Sequence, residues 1–170
     1  MILYPRLYID NVRCIKIDFL NKNNIKAIIL DMDNTIIDLS KNIPEGTKEW
    51  VDSLKKHGIK FCIVSNSIHK DKVIKIANEL GIDVFILFAK KPLKSGFKKA
   101  MKILNIKPCN IAAVGDQIFT DVVGANRCGM YSILVKPIDR KDILITKIKR
   151  PIENYIINKY LKKKGNKDVF

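Results

Sequence analysis

The sequence is short of the residues that build zinc sites and disulfide frameworks. It has only four cysteines and two histidines, and no two cysteines form a Cys-x-x-Cys pair. Structural zinc sites need clustered Cys and His ligands, and disulfide frameworks need cysteines at characteristic spacings in a secreted chain. We therefore predict neither kind of site. Cys62, which stands inside an apolar run, is predicted to be a small core residue.

Long apolar runs and a recognisable signal sequence are missing as well. No apolar run approaches the ~20 residues that a membrane-spanning helix requires. The first residues lack the order of positive charge followed by an apolar core that marks a secretory signal. The sequence therefore predicts a cytoplasmic protein.

Acidic residues and aromatic residues are also few. Aspartate and glutamate together number 17 against 32 lysines and arginines, which leaves a net charge of +15 on 170 residues. A charge of this sign and size predicts an anionic partner such as nucleic acid, acidic lipid or a phosphorylated substrate. Aromatic residues make up 8% of the chain and are not interleaved with basic residues as stacking platforms would be. Nucleic acid is therefore the disfavoured partner.

A regular alternation of short apolar runs and helical patterns fills most of the chain. The runs are predicted to be buried strands and comprise residues 27–30, 61–64, 84–88, 111–114 and 132–135. Segments with apolar residues at helical spacing separate them, and the first such helix is predicted to begin at Pro44 and end at Gly58. Strands alternating with helices predict right-handed βαβ units. The predicted fold class is α/β, a three-layer Rossmann-like fold with a five-stranded parallel sheet.

The length of the chain limits the number of domains. The 170 residues suffice for one domain with a substantial core and are too few for two ordinary ones. We therefore predict a single domain over residues 1–170 with its core at about 27–136. A helix is predicted before the core, because apolar residues recur there at roughly helical spacing. They are Val12, Ile15, Phe19 and Leu20.

Two carboxylates follow the first predicted strand, one residue apart. Asp31 and Asp33, with Thr35 two residues further on, come directly after the run 27–30. The carboxyl end of a parallel strand opens into the crevice where such sheets bind ligands. Close carboxylates repel each other unless a cation or a shared proton separates them. A divalent metal would suit both, with one carboxylate attacking phosphorus and the other moving protons. The structural alternative is a solvated turn.

Polar residues also end three of the other strands. Ser65 follows the second strand, where its hydroxyl could hold a phosphate oxygen or cap a helix. Lys91, followed by Pro92, could offer a positive charge to a phosphate or lie on the surface. Asp116 and Asp121 follow the fourth strand, and Asp121 could equally cap the next helix. Because the carboxyl ends of parallel strands share one edge, we expect these side chains to converge.

Taken together and in this order, the motifs resemble those of the haloacid dehalogenase superfamily. The matching positions are Asp31-Met32-Asp33-Asn34-Thr35, Ser65-Asn66, Lys91 and Gly115-Asp116 with Asp121. The resemblance extends from about residue 27 to 135. In detail the chain is similar to subfamily IIIA, which includes mitochondrial-type phosphatidylglycerophosphatases and their bacterial relatives. The Asp-Met-Asp-Asn-Thr, Gly-Asp-Gln-Ile-Phe-Thr-Asp and Lys-Arg-Pro-Ile-Glu-Asn-Tyr segments carry this narrower match.

The resemblance implies a magnesium-dependent phosphomonoester hydrolase that acts on phosphatidylglycerophosphate. Asp31 would be the nucleophile that forms a phosphoaspartyl intermediate. Asp33 would protonate the leaving group and then activate water, and its backbone carbonyl would bind metal. The implied metal residues for Mg²⁺ are Asp31, Asp33, Asp116 and Asp121. The implied substrate-binding residues are Ser65 and Lys91, with Thr35 and Asn66 in support, and Lys91 is also implied in catalysis.

The segments between the motifs are too short for an inserted cap domain. Thr35 to Ser65 spans one helix and one strand, and Ser65 to Lys91 spans another such pair. We therefore expect a capless core with an open site. An open site suits a phosphate carried by something large that can itself exclude water, such as a lipid surface, a protein or a nucleic acid.

Four other functions fit parts of the pattern. A phosphatase of a phosphoprotein or of a nucleic-acid end is the second hypothesis, and a non-enzymatic anion-binding protein is the third. A dehalogenase is disfavoured by the second aspartate and by the pair at 116 and 121. A receiver domain is disfavoured because it keeps its acid pair apart from the phosphorylated aspartate.

The end of the chain is strongly basic. Residues 140–167 hold ten lysines and arginines against two acidic residues. Pro151 is predicted to begin a helix there. Its predicted apolar stripe consists of Ile152, Tyr155, Ile156 and Tyr160. The stripe could cover the sheet while the lysines are solvated, or the basic tail could hold the enzyme on the inner face of an anionic membrane, at ~1 kcal/mol per basic residue.

Overall fold

A six-stranded parallel sheet forms the centre of the computed structural model, which describes residues 2–139 and 144–164. The strands are β1 (Leu7–Ile9), β2 (Ala27–Leu30), β3 (Lys60–Val64), β4 (Phe85–Ile86), β5 (Ile111–Gly115) and β6 (Tyr131–Val135). Their order across the sheet is β1-β6-β5-β2-β3-β4, and every neighbouring pair is parallel.

Helices cover both faces of the sheet. They are α1 (Ile17–Lys22), α2 (Thr47–Lys56), α3 (Lys70–Leu80), α4 (Lys94–Leu104), α5 (Val123–Arg127) and α6 (Leu144–Lys164). The apolar faces of α1, α2 and α3 share one core cluster with the sheet, and those of α4 and α5 share another. This arrangement confirms the predicted three-layer α/β class.

Strand β2 lies inside the sheet because it is apolar on both sides. Its four residues, Ala-Ile-Ile-Leu, are all buried. Side chains alternate along a strand, so Ile28 and Leu30 pack with one helical layer and Ala27 and Ile29 with the other. Continuous apolar strands of this kind are typical of parallel sheets that are covered on both faces.

The sheet has six strands and not the five that were predicted. The additional strand, β1, pairs with β6 at the edge, from Leu7 opposite Ile133 to Ile9 opposite Val135. A run of three residues is too short to show strand periodicity, so the pairing partner determines its conformation. The predicted third strand, residues 84–88, is also wrong in extent, because only Phe85 and Ile86 pair with β3.

The N-terminal helix was predicted as one element and is two. A 3₁₀ turn covers Val12–Cys14, where the Asn11 side chain accepts a hydrogen bond from the Arg13 backbone N–H, and α1 follows. The predicted apolar residues Val12, Ile15 and Leu20 are buried nonetheless. The spacing of these residues therefore predicted their burial correctly, but it wrongly predicted one continuous helix.

Two helix starts at prolines were also wrong. Helix α2 begins at Thr47 and not at Pro44, whose carbonyl instead accepts a hydrogen bond from the Thr47 N–H in the preceding turn. Pro151 lies inside α6 and does not begin it. Proline lacks an N–H donor and disfavours a helix interior. In α6 the following turns are held by packing, since Ile156 and Tyr160 are buried.

Only half of the predicted apolar stripe near the end of the chain is buried. Ile156 contacts the apolar cluster formed by Ile118, Val122 and Leu134, and the Tyr160 ring packs edge-on against that of Tyr4. Ile152 and Tyr155 are exposed. The basic residues 140, 141 and 167 of the predicted tail lie outside the described residues.

No cap domain interrupts the core within residues 2–139. Only a loop, α2 and β3 lie between Thr35 and Ser65, and only α3 and β4 lie between Ser65 and Lys91.

Cys62 is buried in the core, and burial raises the pKa of its thiol to about 12. Among the helices described, none is long and apolar enough to cross a membrane.

Candidate active site

The candidate site lies where the strand order reverses. After β2 the chain adds β3 and β4 on one side, and then returns to place β5 and β6 on the other. Helices on opposite faces leave a crevice at such a point, beyond the carboxyl ends of the strands. Asp31 follows β2 directly, and Asp116 follows β5 directly. The two carboxylates therefore flank the crevice.

Lys91 stands at the centre of this crevice. Its ammonium nitrogen lies 2.5 Å from Asp31 Oδ1 and 2.6 Å from Asp121 Oδ1. The Lys91 side chain is only 3% exposed, so both ion pairs are shielded from water. Three motifs that are separated by 30 residues or more in the chain, at 31, 91 and 121, thus meet in one buried network.

Asn66 holds the loop that carries Lys91. The Lys91 backbone N–H donates to Asn66 Oδ1 at 2.7 Å, and Asn66 Nδ2 donates back to the Lys91 carbonyl at 3.3 Å. The loop after β3 is therefore joined to the loop after β4. The Asn66 side chain acts on the backbone of Lys91 in the structure, and this fixes where the lysine enters the crevice.

Three buried carboxylates form a compact cluster. One oxygen from each of Asp31, Asp116 and Asp121 lies within 4.8 Å of the other two. Asp121 is held by Lys91 and accepts hydrogen bonds from the Gln117 N–H and the Thr120 hydroxyl at 3.2 and 3.3 Å. These contacts join the local turn and the acidic cluster, so Asp121 does not serve only as a helix cap.

Gly115 makes room for this cluster. A Cβ atom at position 115 would lie 2.3 Å from Asp121 Cγ, which is far inside van der Waals contact. Glycine is the residue that allows such close approach of a backbone. The first position of the Gly-Asp motif therefore has to be glycine, because any side chain there would clash with Asp121.

The protonation of the site follows from burial and charge. Burial raises the pKa of Asp31 to about 7, with smaller contributions in the same direction from Asp121 and Asp116 and an opposing one from Lys91. Burial favours the neutral amine of Lys91, but the carboxylates of Asp121 and Asp31 outweigh it and raise its pKa. One lysine thus compensates only part of the charge of three carboxylates. Such a site favours a cation among hard oxygen ligands.

Asp33 is separated from this cluster. Its side chain is 48% exposed and forms an ion pair with Lys72, in the first turn of α3. Sequence reasoning did not identify Lys72. Its one distinguishing signal is its place just after the Ser65 loop, and the sequence is rich in other exposed lysines. Asp33 therefore faces the open side of the site, while Asp31 lies on its floor.

Thr35 and Ser65 complete the residues predicted from the sequence. The Thr35 hydroxyl donates to Asp31 Oδ2 at 3.5 Å, and both groups are buried. Ser65 is buried as well, and its hydroxyl accepts a hydrogen bond from the Ser67 N–H at 3.0 Å. Thr35 therefore contacts Asp31 directly, whereas the Ser65 hydroxyl contacts the backbone of its own loop.

Sequence comparison relates this chain to known phosphatases. Residues 1–138 match the family described as mitochondrial PGP phosphatase. The chain is 37% identical over 164 residues to the probable phosphatase YqeG of Bacillus subtilis, covering 95% of this chain and 93% of that protein. It is 27% identical over 169 residues to phosphatidylglycerophosphate phosphatase 1 of Arabidopsis thaliana, covering 94% of this chain and 48% of the plant protein, so it spans about half of that relative.

Structural comparison supports the same fold. The chain is similar to the cobalt-bound deoxy-D-mannose-octulosonate 8-phosphate phosphatase of Haemophilus influenzae, with a TM-score of 0.55 and 18% identity. The match covers 68% of this chain and 80% of that structure. The fold, the motifs and the family match agree. The chain therefore belongs to the mitochondrial PGP phosphatase family, a group of phosphatases of the haloacid dehalogenase type.

Proposed function

We propose that this phosphatase is a magnesium-dependent phosphomonoester hydrolase that acts through an aspartyl phosphate on Asp31, with phosphatidylglycerophosphate as its substrate. The observation that carries the reaction is the Asp31 carboxylate, buried at the end of a central strand and paired with Lys91. A carboxylate is a weak nucleophile, and a fixed cation beside it can also neutralise charge on the phosphoryl group.

The donor set fits a magnesium ion. Magnesium prefers oxygen ligands and is commonly bound through one or two carboxylates and substrate phosphate. The carboxylates that would hold it are those of Asp31, Asp116 and Asp121, with the backbone carbonyl of Asp33 as a further proposed ligand. When bound, the ion would neutralise charge on the phosphoryl group in the transition state.

Asp31, Asp33 and Lys91 each have a separate role in the proposed reaction. An Asp31 oxygen attacks phosphorus, the ester P–O bond breaks, and the leaving oxygen takes a proton from Asp33, which enters this step as the protonated acid. Asp33, now a carboxylate, removes a proton from water, whose oxygen attacks the same phosphorus and releases phosphate and free Asp31. Lys91 holds the phosphoryl oxygens and orients Asp31. Asp33 suits this role because it faces the open side, where a leaving group departs.

The proposal of a lipid substrate rests on the family match and on the shape of the site. The family description and the name of the Arabidopsis relative both refer to this phosphate ester. No cap covers the crevice within the described residues, so a phosphate on a large carrier can reach Asp31. The net charge of +15 favours an anionic carrier.

A substrate panel tests the proposal. Purified protein with Mg²⁺ is assayed on phosphatidylglycerophosphate in micelles, glyceraldehyde 3-phosphate, a phosphopeptide and a 5′-phosphorylated oligonucleotide, with Asp31→Asn as the inactive control. We expect the highest kcat/KM on the lipid. Equal or higher kcat/KM on any other member would reject the lipid assignment while leaving the phosphatase chemistry in place.

The basic tail supports a position on an anionic membrane. Lys159, Lys162 and Lys163 are exposed on α6, while Ile156 and Tyr160 anchor the helix to the core. In this proposal the lysines remain available to anionic lipid, and salt would screen the attraction. Sedimentation with vesicles tests it, because binding should require phosphatidylglycerol and should weaken when Lys162, Lys163 and Lys164 are replaced by Gln. Equal binding to neutral vesicles would contradict it.

A further inference from the structure

Exposed apolar side chains are concentrated around the mouth of the site. Eight large apolar residues stand out as exposed in the described part of the chain, and half of them lie in loops that follow β2, β3 and β4. We call these four the apolar rim; they are Leu39 (39% exposed), Ile68 (67%), Phe88 (56%) and Leu93 (50%).

The rim belongs to the same edge of the sheet as Asp31. Strands β2, β3 and β4 are neighbours, and adjacent strands lie about 4.8 Å apart. The loops at their carboxyl ends therefore border one opening. The two hydrogen bonds between Asn66 and Lys91 hold the second and third of these loops together. The rim residues thus border, on the β2-β3-β4 side, the path by which a phosphate reaches the site.

The backbone turns Phe88 outward. Phe88 has φ +49° and Lys90 has φ +52°, whereas Ala89 between them is buried. A bulky residue rarely adopts positive φ, which costs of the order of 1 kcal/mol. The loop keeps this conformation with a small residue directed inward and an aromatic ring in water. Such an arrangement suits a ring that meets a partner outside the protein.

Each rim residue is accompanied by an exposed lysine. Lys41, Lys70, Lys90 and Lys94 lie within two residues of the four rim positions. The nearby acid Asp38 is engaged, since its carboxylate accepts from the Asn42 N–H at 2.7 Å. Asp71 is a second acid beside Lys70. Apolar side chains alternating with lysines match an anionic lipid interface, where apolar groups enter the acyl boundary and ammonium groups reach the phosphates.

We propose that the apolar rim inserts into the interfacial layer of an anionic phospholipid surface, with the crevice facing the lipid head groups. The inference rests on the lipid substrate proposed above and adds the surface that meets the membrane. Single side chains from separate loops, each beside a lysine, favour lipid over a protein partner, which requires a continuous complementary patch. In this orientation the phosphate of a membrane lipid would face the crevice that contains Asp31.

Tryptophan substitution tests the insertion. Trp50 is the sole tryptophan and is buried, so it contributes a constant background. Ile68→Trp and Phe88→Trp are mixed with phosphatidylcholine vesicles that contain phosphatidylglycerol and brominated acyl chains. We expect quenching at both positions and none for Ile103→Trp, a control that is 57% exposed at the last turn of α4, on the opposite edge. Equal quenching at position 103, or quenching only in Tyr155→Trp on α6, would overturn the proposal.

A binding measurement separates the rim from the chemistry. The triple variant Ile68→Ser, Phe88→Asn, Leu93→Ser should bind these vesicles at least about tenfold more weakly, since burying one such side chain contributes roughly a factor of ten. Asparagine is chosen at 88 because it tolerates positive φ. Ile103→Ser should bind normally, and so should Asp31→Asn, which lacks the nucleophile. Unchanged vesicle binding by the triple variant would refute the insertion of the apolar rim. An equal loss of binding in Ile103→Ser and in the triple variant would refute it as well. Loss of aryl phosphate hydrolysis along with binding in the triple variant would refute it too.

Discussion

At the scale of single residues, the site depends on one buried lysine between carboxylates. Lys91 neutralises part of the charge of Asp31 and Asp121, and all three side chains are nearly inaccessible to water. Removing one partner of a buried ion pair leaves the other charge uncompensated, which costs more than the pair itself contributes. The same residue thus supports both the native state and the proposed reaction.

Lys91→Met should therefore destabilise the protein and abolish turnover. We expect the free energy of unfolding to fall by about 3 kcal/mol, because two buried carboxylates lose their cation. Urea denaturation measures this, and Mg²⁺ should restore part of the loss. Lys94→Met, at an exposed lysine three residues away, is the control and should change stability by less than about 0.5 kcal/mol. Equal stability of Lys91→Met and wild type would contradict the account.

Lys72 gives a second prediction at this scale. Lys72→Met leaves the Asp33 carboxylate without its ion pair and removes a positive charge from the open side of the site. We expect kcat/KM for an aryl phosphate to fall roughly tenfold, with Lys72→Arg retaining most of it. Lys75→Met, exposed on the same helix, is the matched control. A rate unchanged in Lys72→Met would show that the ion pair has no part in the reaction.

At the scale of secondary structure, the strand ends place the chemistry. The sequence predicted strands at β2, β3, β5 and β6 because each contains an apolar run. It also predicted that the polar residues after β2, β3, β4 and β5 would converge. The structure brings Asp31, Lys91, Asp116 and Asp121 together. The ion pair of Asp33 with Lys72 could not be predicted, because it depends on how α3 packs against α2 and β4.

The elements that were missed share a physical cause. Strand β1 is three residues long and exists through its pairing with β6, and the interior position of Pro151 depends on the packing of later turns of α6. Local sequence patterns report propensity and periodicity, whereas these features arise from tertiary contacts that override propensity. The boundaries of β4 and α2 belong to the same class.

Helix α6 gives the prediction at this scale. Glu153 accepts a hydrogen bond from the Phe119 N–H at 3.2 Å, and Ile156 packs on Ile118 and Val122, so the helix supports the segment between Asp116 and Asp121. Ile156→Ala should lower stability by about 2–3 kcal/mol and raise the Mg²⁺ concentration needed for half-maximal activity.

The exposed residue Ile152 on the same helix provides the control. Ile152→Ala should change stability by no more than about 0.5 kcal/mol and leave the magnesium dependence unchanged. If Ile156→Ala lost stability without any shift in magnesium dependence, α6 would be a structural cover that does not support the metal residues.

At the scale of the whole molecule, excess positive charge surrounds an acidic centre. The positive charge that gives the chain its net +15 lies outside the crevice, whereas the crevice gathers three buried carboxylates around one lysine. In the proposed function, the surface charge favours an anionic carrier, and the acidic centre would hold a metal ion that binds the phosphate. Composition alone predicted the first property, and only the order of the motifs along the chain predicted the second.

Magnesium should stabilise the whole chain. An ion that binds the native state and not the unfolded chain adds about 2.7 kcal/mol at a hundred times its Kd. We therefore expect the melting temperature to rise with Mg²⁺ and the rise to disappear in Asp116→Asn. Asp83→Asn, at an exposed acid far from the cluster, should keep it. A rise that persists in Asp116→Asn would place the ion elsewhere.

Chemical trapping of the intermediate tests the central claim most directly. Asp33→Asn is mixed with Mg²⁺ and an aryl phosphate, whose leaving group departs without a proton from residue 33, so the aspartyl phosphate should form and then persist. Borohydride reduces an aspartyl phosphate to homoserine, which peptide mass spectrometry locates. The account predicts homoserine at position 31, and none when Asp31→Asn is added to the variant. Turnover by the wild type with no trapped species in Asp33→Asn, or homoserine at another aspartate, would contradict Asp31 as the nucleophile.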